Sequence, residues 1–336
     1  MRWLRRLLLG LFASLVSSGD GYGAPGSIDD PIWMRYEFVP GDQVLFVEDF
    51  STVAAGARSP RFDTIEGAPV VVDHAGRRVL QATAATELSL SLNEALPPYF
   101  TVQFDLEITS GTFDFEPYNP TQASDVFTRF RLTESSAGIY GRDIAERSAR
   151  FEMSASPHQV AMSVDAGRAR LWVDGVELCE VPTSHVARSN QIRLRIAPSE
   201  GSAISFGNLR IARTSRPLLA TKLTKQAPFI THGIRFDGDR LAPESAPIIR
   251  FVVDALRHDP ALKLRLEIHG DGTEGDGTAL LTAARQAKVL EQTLRTRGGI
   301  ADGQWRVEGV GNREPILPGS SPEARWANRR VMLIPE

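Results

Sequence analysis

The stretch from His269 to Gly277, HGDGTEGDG, follows an alternating apolar segment and contains three acids, Asp271, Glu274 and Asp276. A calcium loop of the EF-hand type would close with a glutamate five or six residues later, and none follows. A phosphate loop would lead through lysine into a helix, whereas this stretch has no lysine and its acids would repel phosphate. The third possibility for this stretch is a pocket for a zwitterion. In such a pocket a loop acid accepts from an ammonium, and a donor on the next helix holds the neighbouring carboxylate.

Two further carboxylates, Asp114 and Glu116, alternate in the segment FDFE and would share one face of a strand. Retaining glycoside hydrolysis needs two carboxylates about 5 Å apart, so this pair raises the possibility of a hydrolase. We favour the alternative interpretation, a solvated acidic edge without catalytic function. The chain is accordingly expected not to be an enzyme and to need no cofactor.

Metal and thiol chemistry find little support in the sequence. Cys179 is the single cysteine, which excludes an internal disulfide and a cysteine-based metal cluster. It lies in VELCEVP, a predicted strand, where a buried and inert thiol is expected. His269 has no second histidine or cysteine nearby in sequence, so packing is favoured over metal binding. We predict no metal site.

Length and charge limit the classes of function. With 336 residues the chain is long enough for two domains. The net charge of -3 arises from 38 basic and 41 acidic residues, so a nucleic-acid partner is not expected. The apolar content of 42% and the charged content of 24% are typical of globular proteins.

The N-terminus has the pattern of a secretory signal peptide. The basic segment MRWLRR precedes the apolar run LLLGLFASLV, which is too short to span a bilayer. Residues 1–24 are predicted as the signal, with cleavage after Ser18 or Ala24 left open and an uncleaved anchor as the alternative. We expect export across the inner membrane, a periplasmic or outer-membrane-associated location, and no membrane-spanning segment in the mature chain.

Two regions of different periodicity follow a predicted linker at 25–43. From 44 to 213, short alternating segments and the turns DAG and DG predict an all-β antiparallel sandwich of jelly-roll type. A proline-containing, cationic stretch predicts a second linker at 214–228. From 229 to 336 the pattern becomes β-α-β-α-β-β, an α+β fold with helices on one face. The first of these helices carries Ile248, Ile249, Val252 and Leu256 at helical spacing.

The C-terminal region resembles the OmpA-like peptidoglycan-binding domain of bacterial envelope proteins. The segments that carry the resemblance are IRFDGDRLAPES, LEIHGDGTEG, VEGVGNREPI and ARWANRRVMLI. The resemblance implies that a loop aspartate and a helical arginine clamp the diaminopimelate of the peptidoglycan stem peptide. Asp271 matches the aspartate. Gln286 occupies the arginine position, and Arg285 lies one residue earlier, about 100° around the helix. Arg285 is the alternative donor, if the extra residues of GTEGDG shift the register.

The same resemblance places two more residues at the pocket. Asp237, in RFDGD, and Arg329, in the tetrad NRRV, match positions that line the pocket in family members. An internal ion pair between Asp237 and Arg329 that holds the strands together is an equally weighted alternative. If Gln286 replaces the arginine, a neutral amide replaces a bidentate guanidinium, which costs roughly 1 kcal/mol or more of binding free energy.

The middle region resembles the concanavalin A-like or laminin G-like jelly roll. The segments concerned are VLFVEDFS, ALPPYFTVQFDLEI, HQVAMSVDAGRARLWVDGVEL and SFGNLRIA. The resemblance implies a surface for a glycan or a protein. The leading hypothesis is therefore an exported envelope protein that docks on peptidoglycan. The alternatives are a protein-interaction scaffold that has lost wall binding, and a glycan hydrolase in the sandwich.

Overall fold

The computed structural model describes residues 37–122, 127–142, 147–153, 156–182, 184–214, 227–297, 300 and 303–336. The predicted signal peptide at 1–24 lies outside these ranges. Most residues of the predicted linkers at 25–43 and 214–228 also lie outside the described ranges. Among the described residues, no helix combines the length and the apolar character needed to cross a bilayer.

Two antiparallel sheets are built between Gln43 and Arg213. Their strands are β1 (Gln43–Glu48), β2 (Asp63–Glu66), β3 (Val70–His74), β4 (Arg77–Ala82), β5 (Thr86–Ser91), β6 (Tyr99–Ile108), β7 (Gly111–Tyr118), β8 (Arg129–Thr133), β9 (Ser136–Tyr140), β10 (Arg147–Arg150), β11 (His158–Asp165), β12 (Arg168–Val173), β13 (Val176–Val181), β14 (Gln191–Pro198) and β15 (Ile204–Arg213). One sheet has the order β13-β12-β11-β6-β15-β4-β3, with β1 also paired to β15. The other has the order β10-β9-β8-β7-β14-β5-β2.

Side chains that alternate along these strands form a single core between the two sheets. In β6, Val102, Phe104, Leu106 and Ile108 are at most 1% exposed. Phe104 packs on Phe113 of the facing sheet, with ring centroids 5.1 Å apart. Each fully buried aromatic or aliphatic side chain contributes about 1.5–3 kcal/mol. The predicted antiparallel sandwich is thus confirmed as a two-sheet structure.

The outer face of the larger sheet carries polar side chains on the neighbouring strands β6 and β15. Strand β15 leaves regular pairing with β6 between Gly207 and Arg210, and the intervening Asn208 has a φ of 51°. Such a bulge re-aims the side chains beside it. Asn208 and Arg210 therefore lie on the outer face close to Gln103 and Asp105 of β6.

The remaining elements form a smaller α+β unit, called here the C-terminal unit (residues 229–336). Its strands and helices are β16 (Phe229–Thr231), β17 (Phe236–Asp237), β18 (Arg240–Leu241), α1 (Ala246–His258), β19 (Leu264–His269), α2 (Asp276–Arg297), β20 (Trp305–Gly311), α3 (Pro322–Asn328) and β21 (Val331–Pro335). A four-stranded sheet has the order β16-β21-β19-β20, in which only β19 and β20 run parallel. Helices α1 and α2 share one apolar core with this sheet.

Two features of the C-terminal unit differ from the sequence prediction. The predicted pattern β-α-β-α-β-β contains two helices, but a third helix, α3, ends at Asn328, and β21 begins at Val331. Ser321 caps this helix, since its Oγ accepts from Ala324 N at 3.2 Å. The short hairpin β17–β18 was also not predicted, because two-residue strands carry no periodicity.

Candidate functional site

The loop after β19 is held in place by Asn312. Its Oδ1 accepts from Gly272 N at 3.1 Å, and its Nδ2 donates to Glu274 O at 2.7 Å. A Cβ at position 270 would lie 2.3 Å from Asn312 Oδ1, which explains the glycine between His269 and Asp271.

One carboxylate oxygen of Asp271 is occupied and the other is available. Asp271 Oδ1 accepts from Thr273 N at 2.9 Å and from Thr273 Oγ1 at 2.6 Å. Among the described residues, no donor reaches Asp271 Oδ2 within hydrogen-bond distance. The side chain is thus orientated by its own loop and presents a free acceptor.

Asp271 faces a cleft of about 450 Å³ between the outer face of the larger sheet and the C-terminal unit. Five arginines and three aspartates line this cleft: Arg77, Arg210, Arg235, Arg325, Arg329, Asp49, Asp105 and Asp271. The excess of positive charge is two. The volume falls within the range of ordinary ligand pockets, roughly 300–1,000 Å³. We call this space the interdomain cleft.

The predicted site residues separate into two groups. Asp271 and Arg329 both line the interdomain cleft, and Gln286 lines a neighbouring cavity of about 60 Å³ whose wall also includes Arg329. Arg285 lies outside both linings, since its Nε donates to Asp239 Oδ2 at 2.9 Å on the exposed side of α2. Gln286 Nε2 donates to Gly238 O at 2.9 Å.

The interpretation of Asp237 and Arg329 as an internal ion pair is wrong. Asp237 is exposed in the hairpin β17–β18, and no described acid lies within ion-pair distance of Arg329. The backbone of Arg329 accepts a hydrogen bond, since His232 Nδ1 donates to Arg329 O at 3.0 Å. Its guanidinium remains available in the cleft.

Sequence reasoning missed the residues that the sandwich contributes to the cleft. Arg210 is an outward-facing residue of an ordinary strand, and no spacing links it to the motifs of the C-terminal unit. Its guanidinium lies over the ring of Trp326, 4.9 Å from the centroid. The ring of His232 also stacks on Trp326, with the ring centroids 3.7 Å apart. The indole also packs on Val47 and Ala212 of the sandwich.

Two ion pairs connect the sandwich to the C-terminal unit. Arg325 Nη2 donates to Asp49 Oδ2 and to Ser51 Oγ, the latter at 2.7 Å. Arg61 Nη2 donates to Glu323 Oε1 at 2.7 Å. Because each of these side chains keeps some exposure, the pairs serve mainly to orientate the two parts, and each adds at most about 1 kcal/mol.

Burial shapes the protonation of the cleft residues. Burial lowers the pKa of Arg210 well below its ordinary value, and the guanidiniums of Arg235 and Arg329 add to that effect. Burial likewise lowers the pKa of Arg329. More than a third of the surface of this residue is exposed to water, but the side chain lies in a cleft with protein on both sides. Burial lowers the pKa of His232 to about 3, so this ring is neutral near pH 7.

A second group of polar side chains lies beside β19. One ligand atom each of Glu267, His269 and Glu314 falls within 4.8 Å of the others. Arg265 Nη1 already donates to Glu267 Oε1. Burial, together with the nearby charge of Arg330, lowers the pKa of His269 to about 4. Two guanidiniums would compete with a cation here, so the group is a poor metal site. His269 is 3% exposed, in agreement with its predicted packing role.

The other candidates from the sequence are buried in the sandwich. Asp114 and Glu116 are 3% and 1% exposed, so their interpretation as a solvated edge is wrong. Arg131 donates to both oxygens of Asp114 at 2.7 Å, and Arg195 Nη1 donates to Glu116 Oε2 at 2.9 Å. Cys179 is a free thiol, 5% exposed in β13, and burial raises its pKa. This agrees with the predicted inert thiol.

Comparison with known proteins finds relatives that match only part of the chain. No protein-family model matches the chain. The peptidoglycan-binding protein ArfA of Mycobacterium tuberculosis is 31% identical over 98 residues, or 29% of this chain and 30% of ArfA. The sodium-type flagellar protein MotY of Vibrio parahaemolyticus is 28% identical over 97 residues, or 29% of this chain and 33% of MotY.

Two solved structures show weaker likeness. A carbohydrate-binding module from Bacillus subtilis is 11% identical, with a TM-score of 0.35 over 45% of this chain and 95% of the module. A MotB-like protein from Desulfovibrio vulgaris is 18% identical, with a TM-score of 0.30 over 32% of this chain and 74% of that chain. The chain spans about a third of the length of the curated relatives it matches, and its similarity to a peptidoglycan-binding protein is confined to a segment of about 98 residues.

Proposed function

We propose that this protein is an exported component of the bacterial cell envelope, periplasmic or outer-membrane associated, and that its C-terminal unit binds peptidoglycan non-covalently as an OmpA-like domain. The similarity to peptidoglycan-binding ArfA supports this, because its 98 residues are close to the length of the C-terminal unit. The motifs LEIHGDGTEG and ARWANRRVMLI support the same assignment.

The observation that carries the proposal is the position of Asp271 beside Arg329 in one cleft. A free carboxylate oxygen and an uncommitted guanidinium there suit the ammonium and carboxylate of diaminopimelate in the stem peptide. Each charge-assisted hydrogen bond of this kind contributes roughly 1.5–3 kcal/mol to binding. The ligand is therefore expected to depend on both side chains.

Substitution of Asp271 by asparagine is expected to weaken retention on purified sacculi by about 10-fold or more. Asparagine keeps the acceptor for Thr273 N but removes the charge that an ammonium requires. Co-sedimentation at low salt measures the effect. Asp254→Asn, an exposed change on α1, serves as the matched control and should sediment like the wild type. Wild-type protein that remains in the supernatant with sacculi present would disprove wall binding.

A second function, a protein-interaction scaffold that has lost wall binding, is favoured by the state of helix α2. Gln286 stands where the family has arginine, and Arg285 is engaged by Asp239 on the outer side. Titration with free meso-diaminopimelate, followed by amide chemical shifts, separates the two functions. Saturable shifts near Asp271 and Arg329 support wall binding, and their absence supports the scaffold.

We propose that the sandwich acts by recognition of a glycan or a protein and catalyses no reaction. Glu116 is 1% exposed and bonded to Arg195, and burial raises its pKa. A raised carboxyl pKa suits a general acid only where substrate can reach it. No release of reducing ends from a panel of polysaccharides is expected, and release that disappears in Glu116→Gln would establish the hydrolase alternative.

A further inference from the structure

Three guanidiniums of the interdomain cleft have no acidic partner. Arg210, Arg235 and Arg329 form no ion pair with any described acid, whereas Arg77 pairs with Asp105 at 2.7 Å and Arg325 pairs with Asp49. The side chains line the same cavity, and all three also line the smaller cavity beside Gln286. The three positive charges are thus concentrated around the interdomain cleft, which a ligand can occupy.

Arg210 is rigidly placed although it comes from the sandwich. The bulge in β15 directs it outward, its Nη2 donates to Gln103 Oε1, and its guanidinium stacks on Trp326 of the C-terminal unit. Stacking on an aromatic ring and a side-chain acceptor together fix the plane of a guanidinium. Such a group is pre-organised to donate its remaining N–H groups to a carboxylate.

The arrangement has an electrostatic cost without a ligand. Removing cations from water costs free energy unless an opposite charge compensates. The neighbouring arginines repel each other, and the lowered pKa values of Arg210 and Arg329 reflect burial first and this repulsion second. Asp271 is the one aspartate of the cleft lining that lacks an arginine ion pair. A bound anion would relieve the repulsion.

We propose that Arg210, Arg235 and Arg329 together form a carboxylate-binding site that both the sandwich and the C-terminal unit build, so that the sandwich completes the site for the wall ligand. The ligand class is a peptide with two or more carboxylates and at least one ammonium, which Asp271 receives through Oδ2. Identification of that peptide as the peptidoglycan stem rests on the proposed function, but the carboxylate site itself does not.

The test uses the full chain and the tripeptide L-Ala-γ-D-Glu-meso-diaminopimelate in isothermal titration calorimetry. Arg210→Gln and Arg235→Gln are each expected to weaken the affinity about 10-fold or more, which corresponds to loss of one charge-assisted contact. Arg168→Gln, an exposed arginine on β12 of the same sandwich, should bind like the wild type. Arg235→Gln leaves the stack on Trp326 intact and so separates ligand binding from folding.

The arms of the experiment give distinct outcomes. Unchanged tripeptide affinity in Arg210→Gln or in Arg235→Gln, or no binding of tripeptide to the wild type, overturns the proposal. Binding of inorganic phosphate in place of the tripeptide would also overturn it, because the site would then be specific for phosphoryl groups. Tripeptide binding that depends on Arg210, combined with no retention on sacculi, would support the carboxylate site and reject the proposed function.

Discussion

Lowering the pH from 7 to 4 is expected to destabilise the C-terminal unit by on the order of 3 kcal/mol through His232 alone. The ring is 5% exposed, lies between Trp326 and the backbone of Arg329, and has a folded-state pKa of about 3 because burial disfavours its charged form. The arginines at 210, 329 and 330 add repulsion.

The direction of this effect follows from proton uptake. Above the unfolded pKa of about 6.5, the ring is neutral in both states and no penalty exists. Between 6.5 and about 3, the unfolded chain takes up a proton that the folded chain excludes, so stability falls with falling pH. Below a pH of about 3, the folded and the unfolded chain both bind the proton, and stability no longer changes with pH through this ring. His269, with a pKa of about 4, adds to the slope between 6.5 and 4.

Amide hydrogen exchange in β21, measured from pH 7 to pH 4, reports the opening free energy of this unit. His232→Gln should reduce its dependence on pH by up to about 1.4 kcal/mol per pH unit. His258→Gln, at the exposed end of α1, should leave the dependence unchanged. Equal slopes in the wild type and in His232→Gln would show that the ring is not excluded from protonation in the folded state.

Replacement of Gly309 by alanine is expected to destabilise the C-terminal unit by about 3 kcal/mol, at the upper end of the usual range for overpacking. Helix α2 lies directly on β20 at this residue. A Cβ at position 309 would approach the backbone carbonyl carbon of Ala283 and the backbone nitrogen of Ala284 at 2.5 Å. Backbone cannot rotate aside as a flexible side chain can, so the helix must move.

Displacement of α2 also carries a functional consequence. The helix brings Gln286 to the cavity beside Arg329, so Gly309→Ala should weaken tripeptide binding as well as stability. Gly277→Ala is the matched control, since it lies in the first turn of α2 with no heavy atom within 4 Å of its Cβ position. Alanine there should raise stability by up to about 1 kcal/mol. Chemical denaturation of both variants measures the difference, and a neutral Gly309→Ala would contradict the close packing.

Features that depend on neighbouring residues could be predicted from the sequence. The alternation in β6 predicted one buried face, because successive side chains of a strand point to opposite sides. The pair Asp174 and Gly175 predicted the β12–β13 hairpin, and both residues have positive φ, 49° and 76°. The apolar spacing of α1 predicted its buried face. In each case the information lies within one strand, one turn or one helix.

The sequence narrowed the rotation of α2 about its axis to two choices but did not decide between them. Residues 285 and 286 differ by about 100° around a helix, so only one of them can face the cavity. The choice depended on the rotation of α2 against the sheet, which Gly309 and the small residues Ala283 and Ala287 set through close contact. The structure turns Gln286 inward and Arg285 towards Asp239.

By itself, the sequence determined the two-sheet sandwich, helices α1 and α2 of the C-terminal unit and the acid at position 271, since each depends on local periodicity or a local motif. Only the tertiary structure decided that Arg210 of the sandwich meets Arg235 and Arg329 in one cleft. The physical reason is that contact between distant segments depends on how two apolar surfaces dock, here Trp326 on Val47 and Ala212. No pattern in either segment encodes the position of the other.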